Sequence, residues 1–133
     1  MLSQNQYMSR AIELAQMASG HTSPNPPVGA VLVKNDQIIG EGYTLPAGQD
    51  HAEIVALRNA GSNALGSELY VTLEPCDHFG RTPPCTRAII DAGVRKVYIA
   101  LMDPAPHTKG LGIRSLESAG IQVSIYEPTQ QSL

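Results

Sequence analysis

The sequence predicts a three-layer α/β domain, with a mixed five-stranded sheet, helices on both faces and the last two strands parallel. Three observations predict it. Five β-rich runs, at 28–34, 37–43, 68–73, 95–100 and 121–126, are interleaved with stretches of helical period. The first two runs are joined by Asn35-Asp36 alone, a two-residue hairpin signal. The last two enclose a helical stretch at 111–119, and such a strand–helix–strand unit crosses over right-handed and pairs in parallel.

Along the chain, Ser3 with Gln6 reads as a capping box. Apolar residues then recur at Tyr7/Met8, Ala11/Ile12, Ala15 and Ala18, a helix that Gly20 ends and that should cover one sheet face. Residues 21–27 hold three prolines, which remove backbone donors and fix φ. That segment is either a stiff connector or a rigid wall turning the Asn25 amide toward a ligand. After the hairpin, a loop at 44–49 leads to Asp50, a candidate cap for a helix over 51–60 that Gly61 stops. The run at 68–73 leads into Glu74, Pro75 and Cys76. Pro83-Pro84 suits the start of a helix that Cys85 opens and Gly93 closes. One domain over 1–133 is expected, with a core to about residue 126 and a loose tail at 127–133.

Composition narrows the partners. A net charge of −3 offers no basic field for a long nucleic acid, so no nucleic-acid partner is expected. A small substrate fits better, one with a single phosphate included. No apolar run reaches the length of a membrane span, so no membrane partner is expected. The first residues lack the charged-then-apolar order of an export signal, which points to a reducing, cytoplasmic compartment and argues against a disulfide between the two cysteines.

The chemistry gathers in two stretches, His51-Ala52-Glu53 and Pro75-Cys76 through Cys85. One imidazole and two thiols are a ligand set for a Zn²⁺ site with its fourth position open. Cys85 at a helix N-terminus has its thiol pKa lowered and is ready to bind as thiolate. Glu53 is the natural proton carrier beside the metal. His51 and Glu53, two positions apart, do not share a helix face, so both can meet one metal only beyond the helix end. Each residue has a plainer reading: a capped surface histidine, a solvated first-turn carboxylate, buried inert thiols. A structural zinc with four protein ligands is a further alternative, because His21, His78 or His107 could complete it. The order histidine, glutamate, cysteine, cysteine, each at an element end, matches the base-modifying zinc deaminases, where the glutamate is acid/base and not a ligand.

From about Met8 to Val123 the chain resembles the pyrimidine deaminases of riboflavin biosynthesis, a cytidine deaminase-like family usually fused to a reductase. The resemblance rests on Thr22-Ser23-Pro24-Asn25-Pro26-Pro27-Val28-Gly29-Ala30, on His51-Ala52-Glu53, on the run from Tyr70 to Cys85, and on Asp103-Pro104. Its specific part is the eight residues, 77–84, between the cysteines; related nucleoside, cytosine and tRNA-adenosine deaminases mostly have two. It implies zinc on His51, Cys76 and Cys85, with Glu53 shuttling protons. It implies hydrolytic deamination of a diaminopyrimidinone carrying ribosylamine 5′-phosphate, in a dimer or tetramer, with a separate reductase acting downstream. Asn25, His78, Arg81 and Asp103 match positions where the family meets its substrate, Arg81 replacing a common lysine with the positive charge retained.

Two positions near the family's ligand depart from its pattern. Thr44 stands where histidine is common, and Ala105 where asparagine is common. Both changes shorten hydrogen-bonding reach, and a lost polar contact in a desolvated site costs about 1–3 kcal/mol. They motivate a second expectation, the same zinc chemistry on another nucleobase or a specialised-metabolite precursor. A third, from a different class, is a non-catalytic zinc-stabilised subunit or binding module, which would have no use for Glu53.

Overall fold

In a computed structural model, residues 4–18, 27–46, 49–77, 84–100 and 110–126 are described. They form helix α1 (Gln4–Ala18), strands β1 (Gly29–Lys34) and β2 (Gln37–Tyr43), and helix α2 (Ala52–Ala60), which runs into a 3₁₀ turn at Gly61–Ala64. Strand β3 (Glu68–Val71), helix α3 (Cys85–Ala92), strand β4 (Lys96–Ile99), helix α4 (Leu111–Ser118) and strand β5 (Gln122–Ile125) follow. The Ser3 side of the expected capping box and the 127–133 tail lie outside the described residues.

The five strands make one sheet in the order β2-β1-β3-β4-β5. β1 pairs antiparallel with both β2 and β3, while β3, β4 and β5 are parallel. Asn35 and Asp36 take φ of 52° and 61°, the doubly left-handed turn that matches the twist of a two-residue hairpin. β1 is buried on both sides, as the continuously apolar Ala30-Val31-Leu32-Val33 requires. Its even and odd residues therefore serve two cores. Val31 and Val33, with Tyr70 and Tyr98, receive Tyr7, Met8, Ala11 and Leu14 of α1. Ala30 and Leu32, with Leu69, Val71, Val97 and Ile99, receive Ala52 and Ala56 of α2, Ile89 of α3 and Leu116 of α4. Three layers result, with one helix on one face and three on the other.

Three local expectations are corrected. α2 begins at Ala52, and His51 is its cap residue with extended backbone (φ −76°, ψ 165°). Asp50 does not cap it; its carboxylate pairs with Arg58. Pro84 is likewise outside its helix, at the cap position of α3 with ψ of 143°. β3 stops at Val71 because the chain leaves the ladder there: Thr72 exchanges backbone and side-chain bonds with Gly29 (3.1 Å each).

Candidate active site

Three element ends converge on the α2–α3 face. α2 contributes His51 from its cap position, the chain leaving β3 contributes Cys76, and the first turn of α3 contributes Cys85. His51 Nδ1 lies 3.3 Å from Cys85 Sγ and 3.8 Å from Cys76 Sγ. The three donor atoms all lie within 4.8 Å of one another, and both thiols are free. Because His51 sits before the helix proper, its ring turns off the helix end while Glu53 points inward from the first turn. Glu53 is 4% exposed, and its carboxylate acts on Cys85, Cys76 and His51.

α2 can bring these groups so close because Gly42 of β2 has no side chain. A Cβ there would stand 2.4 Å from the carbonyl oxygen of Ala52 and 2.7 Å from the amide nitrogen of Ala56. Any larger residue would lift the first turn of α2 away from the sheet, and His51 with it.

The two cysteine segments are laced together. The Cys85 N–H donates to Cys76 Sγ (3.2 Å), and the Thr86 N–H donates to the Cys76 carbonyl (3.2 Å). The Thr86 hydroxyl donates to Asp77 Oδ1 and the Ser115 hydroxyl to Asp77 Oδ2, both at 2.7 Å. A sulfur that accepts an N–H at a helix start is placed where the positive end of the helix favours a thiolate.

The electrostatics follow from this crowding. Cys76 is held down to about 4, first by its hydrogen bond with Cys85 and then by His51, against the opposing effect of burial. Contrary to the lowered thiol pKa expected at a helix start, Cys85 moves up, because it hydrogen-bonds Cys76 and is buried beside Glu53. His51 is raised, chiefly by its bond to Cys76. Burial pushes Glu53 up to about 7, with the Cys76 charge adding to it. Cys76 thus favours the thiolate, with a second thiol and an imidazole aimed at the same point. A dication at that point would ionise the second thiol too, since a coordinating thiol is deprotonated outright. One nitrogen and two sulfurs in this spacing fit zinc in donor type and number.

Of the residues expected to meet substrate, Thr44 is described and is 4% exposed. Its hydroxyl accepts the Val28 N–H (2.8 Å) and donates to the Val28 carbonyl (3.3 Å), closing the end of the β1–β2 pair. Asn25, His78, Arg81, Asp103 and Ala105 lie outside the described residues, as do His21 and His107. Asp77 escaped the sequence reading; its position directly after a candidate ligand was the available signal.

The model of the cytidine and deoxycytidylate deaminase zinc-binding region matches residues 1–101, a stretch that contains His51, Glu53, Cys76 and Cys85. The chain belongs to this deaminase family. Within the family it is 54% identical over 119 residues to a riboflavin biosynthesis protein RibD from Aquifex aeolicus, covering 90% of this chain and 33% of that protein. It is 51% identical over 119 residues to the diaminohydroxyphosphoribosylamino-pyrimidine deaminase of Buchnera aphidicola, covering 90% of this chain and 81% of that one. Among solved structures, Acinetobacter baumannii RibD matches with a TM-score of 0.90 at 54% identity, over 91% of this chain and 34% of that chain. This deaminase domain therefore spans about a third of the length of the RibD proteins it matches. The five-stranded mixed sheet with parallel β4 and β5 is the family's fold, as the sequence predicted, and β3 joins them in parallel.

Proposed function

We propose that this domain hydrolytically deaminates an aminopyrimidine, the phosphorylated diaminopyrimidinone of riboflavin biosynthesis, with zinc held by His51, Cys76 and Cys85. The observation that carries this reading is the meeting of one imidazole nitrogen and two sulfurs within 4.8 Å, beside a carboxylate that is 4% exposed. The riboflavin-pathway names of its relatives support the substrate class. Zinc with three protein ligands supplies a Lewis acid that lowers the pKa of water to about 7. Glu53 is the proton carrier. Its carboxylate takes a proton from the attacking water and passes it to a ring nitrogen of the substrate; it then takes the proton of the newly added hydroxyl, as the carbonyl forms, and gives it to the departing amino group. Water and an exocyclic amine are consumed; a carbonyl and ammonia are released. Burial keeps Glu53 from losing these protons to solvent and holds its pKa near the range where it can both accept and donate.

Asn25, His78, Arg81 and Asp103 are assigned to the substrate, with Arg81 on the phosphate. Thr44 contributes differently in this reading: its hydroxyl is occupied by Val28, so it shapes the wall of the site and offers no free donor. The same reading takes 1–133 as one domain in a homo-oligomeric, cytoplasmic enzyme whose product passes to a reductase. Among the described residues no helix is long and apolar enough to cross a membrane.

Ammonia release should be measured side by side on the ribosylaminopyrimidine phosphate, its dephosphorylated form, cytosine and guanine. The phosphorylated compound should turn over fastest. A strong preference for an unphosphorylated base would overturn the riboflavin assignment and leave the zinc chemistry standing.

A further inference from the structure

α4 supplies no donor to the metal cluster among the described residues, yet it holds the Cys76 turn on both sides. Before Cys76, Glu74 is 5% exposed and spends its carboxylate on the start of α4. Oε1 accepts the Gly110 N–H (3.1 Å), and Oε2 accepts those of Gly112 (3.0 Å) and Ile113 (3.4 Å). After Cys76, Asp77 binds the Ser115 hydroxyl on the same helix and, through its other oxygen, Thr86 beside Cys85. Between them, Gly112 meets the backbone of Pro75 so closely that a Cβ would stand 2.3 Å from the Pro75 carbonyl oxygen.

A helix that needed only capping would carry its own Ser, Thr, Asp or Asn at that position. α4 instead has Gly110 there, in the left-handed region (φ 84°), with no side-chain cap of its own. Its orphan N–H groups are satisfied by a carboxylate two residues before a candidate zinc ligand. The capping bond and the placement of the ligand turn are therefore one interaction.

We propose that Glu74 and Asp77 are positioning residues that brace the Cys76 turn against α4, so that α4 is the outer support of the zinc site. The two carboxylates fix the turn's position while Pro75 fixes its backbone direction. Neither belongs to the donor cluster; they act through Cys76 and, by way of Thr86, through Cys85. Partners behind the direct ligands change metal affinity by about 10–100-fold in metal sites generally.

This inference rests on the reading that Cys76 and Cys85 hold zinc. The test uses the zinc-loaded full chain and the variants Glu74→Gln, Asp77→Asn and Ser115→Ala, with Leu14→Ala, under the opposite sheet face, as a stability control. Zinc release to a colorimetric chelator, the thiolate-to-metal absorption of the cobalt-substituted chain, and thermal melting are read for each. Glu74→Gln should release zinc about tenfold faster or more, and its cobalt band should shift. Asp77→Asn and Ser115→Ala should move both readouts less and in the same direction; being milder, they decide the matter should Glu74→Gln fail to fold. Leu14→Ala should lower the melting temperature and leave release and band unchanged. Site variants that melt earlier yet release zinc like wild type would overturn the inference alone. A wild-type chain that takes up no zinc would overturn the metal reading, and this inference with it.

Discussion

The two faces of the sheet are built from different material. On the α1 face three tyrosines fill the space: Tyr70 and Tyr98 stack at 4.5 Å and 10°, and Tyr7 tilts against Tyr70 at 5.3 Å. On the other face the helices present Ala52, Ala56, Ala60 and Ala64, small residues that let several elements crowd together. The polar groups differ in the same way. Tyr7 Oη is buried and has no hydrogen-bond partner among the described residues. Across the sheet, Glu74 meets three N–H groups, and Glu53 sits beside the His51, Cys76 and Cys85 cluster. One face stores stability in ring area. The other brings three helix N-termini close enough for chemistry, and tolerates polar groups because each has somewhere to go.

If this division is real, substitutions on the two faces should separate activity from stability. Glu53→Gln is the sharpest case: turnover should fall by at least roughly 100-fold, the usual contribution of a positioned acid/base. Zinc content by elemental analysis should stay at that of wild type, and retained turnover would remove Glu53 from its role. Leu14→Ala should cost about 2–5 kcal/mol of stability in denaturant unfolding, with turnover of the folded chain unchanged. A loss of turnover there would mean the faces are coupled. Gly42→Ala lies between the two: its new Cβ meets α2 backbone, so about 1–3 kcal/mol should be lost, and zinc content should fall as His51 moves. The smallest effect is expected of Tyr7→Phe, which removes a hydroxyl that lacks a partner. Stability should rise by about 1 kcal/mol or hold steady, and a clear loss would reveal a bond to Tyr7 Oη from outside the described residues.

Much of this organisation was legible before any coordinates. The Asn35-Asp36 hairpin, the parallel final strands and the histidine–cysteine–cysteine set all depend on local signals or on a handedness rule, and the strand order and donor cluster agree with them. Element ends were less legible. Leu73 continues an apolar run that the ladder has already left, and Asp50 looks like a cap until Arg58 draws its carboxylate away. Glu74 was read only as a residue on the way to Cys76. Its partners lie 36 to 39 positions further on, and no local pattern announces a bond of that span.

The sheet order also sets a timetable. β1 and β2 meet through two residues, and hairpins of that kind close in about 1–10 μs. β3 and β4 can pair in parallel only after α3 has carried the chain across, and such distant pairings are slow. Cys76 and Cys85 both lie within that crossing, with Cys85 at the head of its helix. The two sulfurs therefore come together only when that crossing is made, so the donor cluster belongs to the parallel half of the sheet and not to the hairpin.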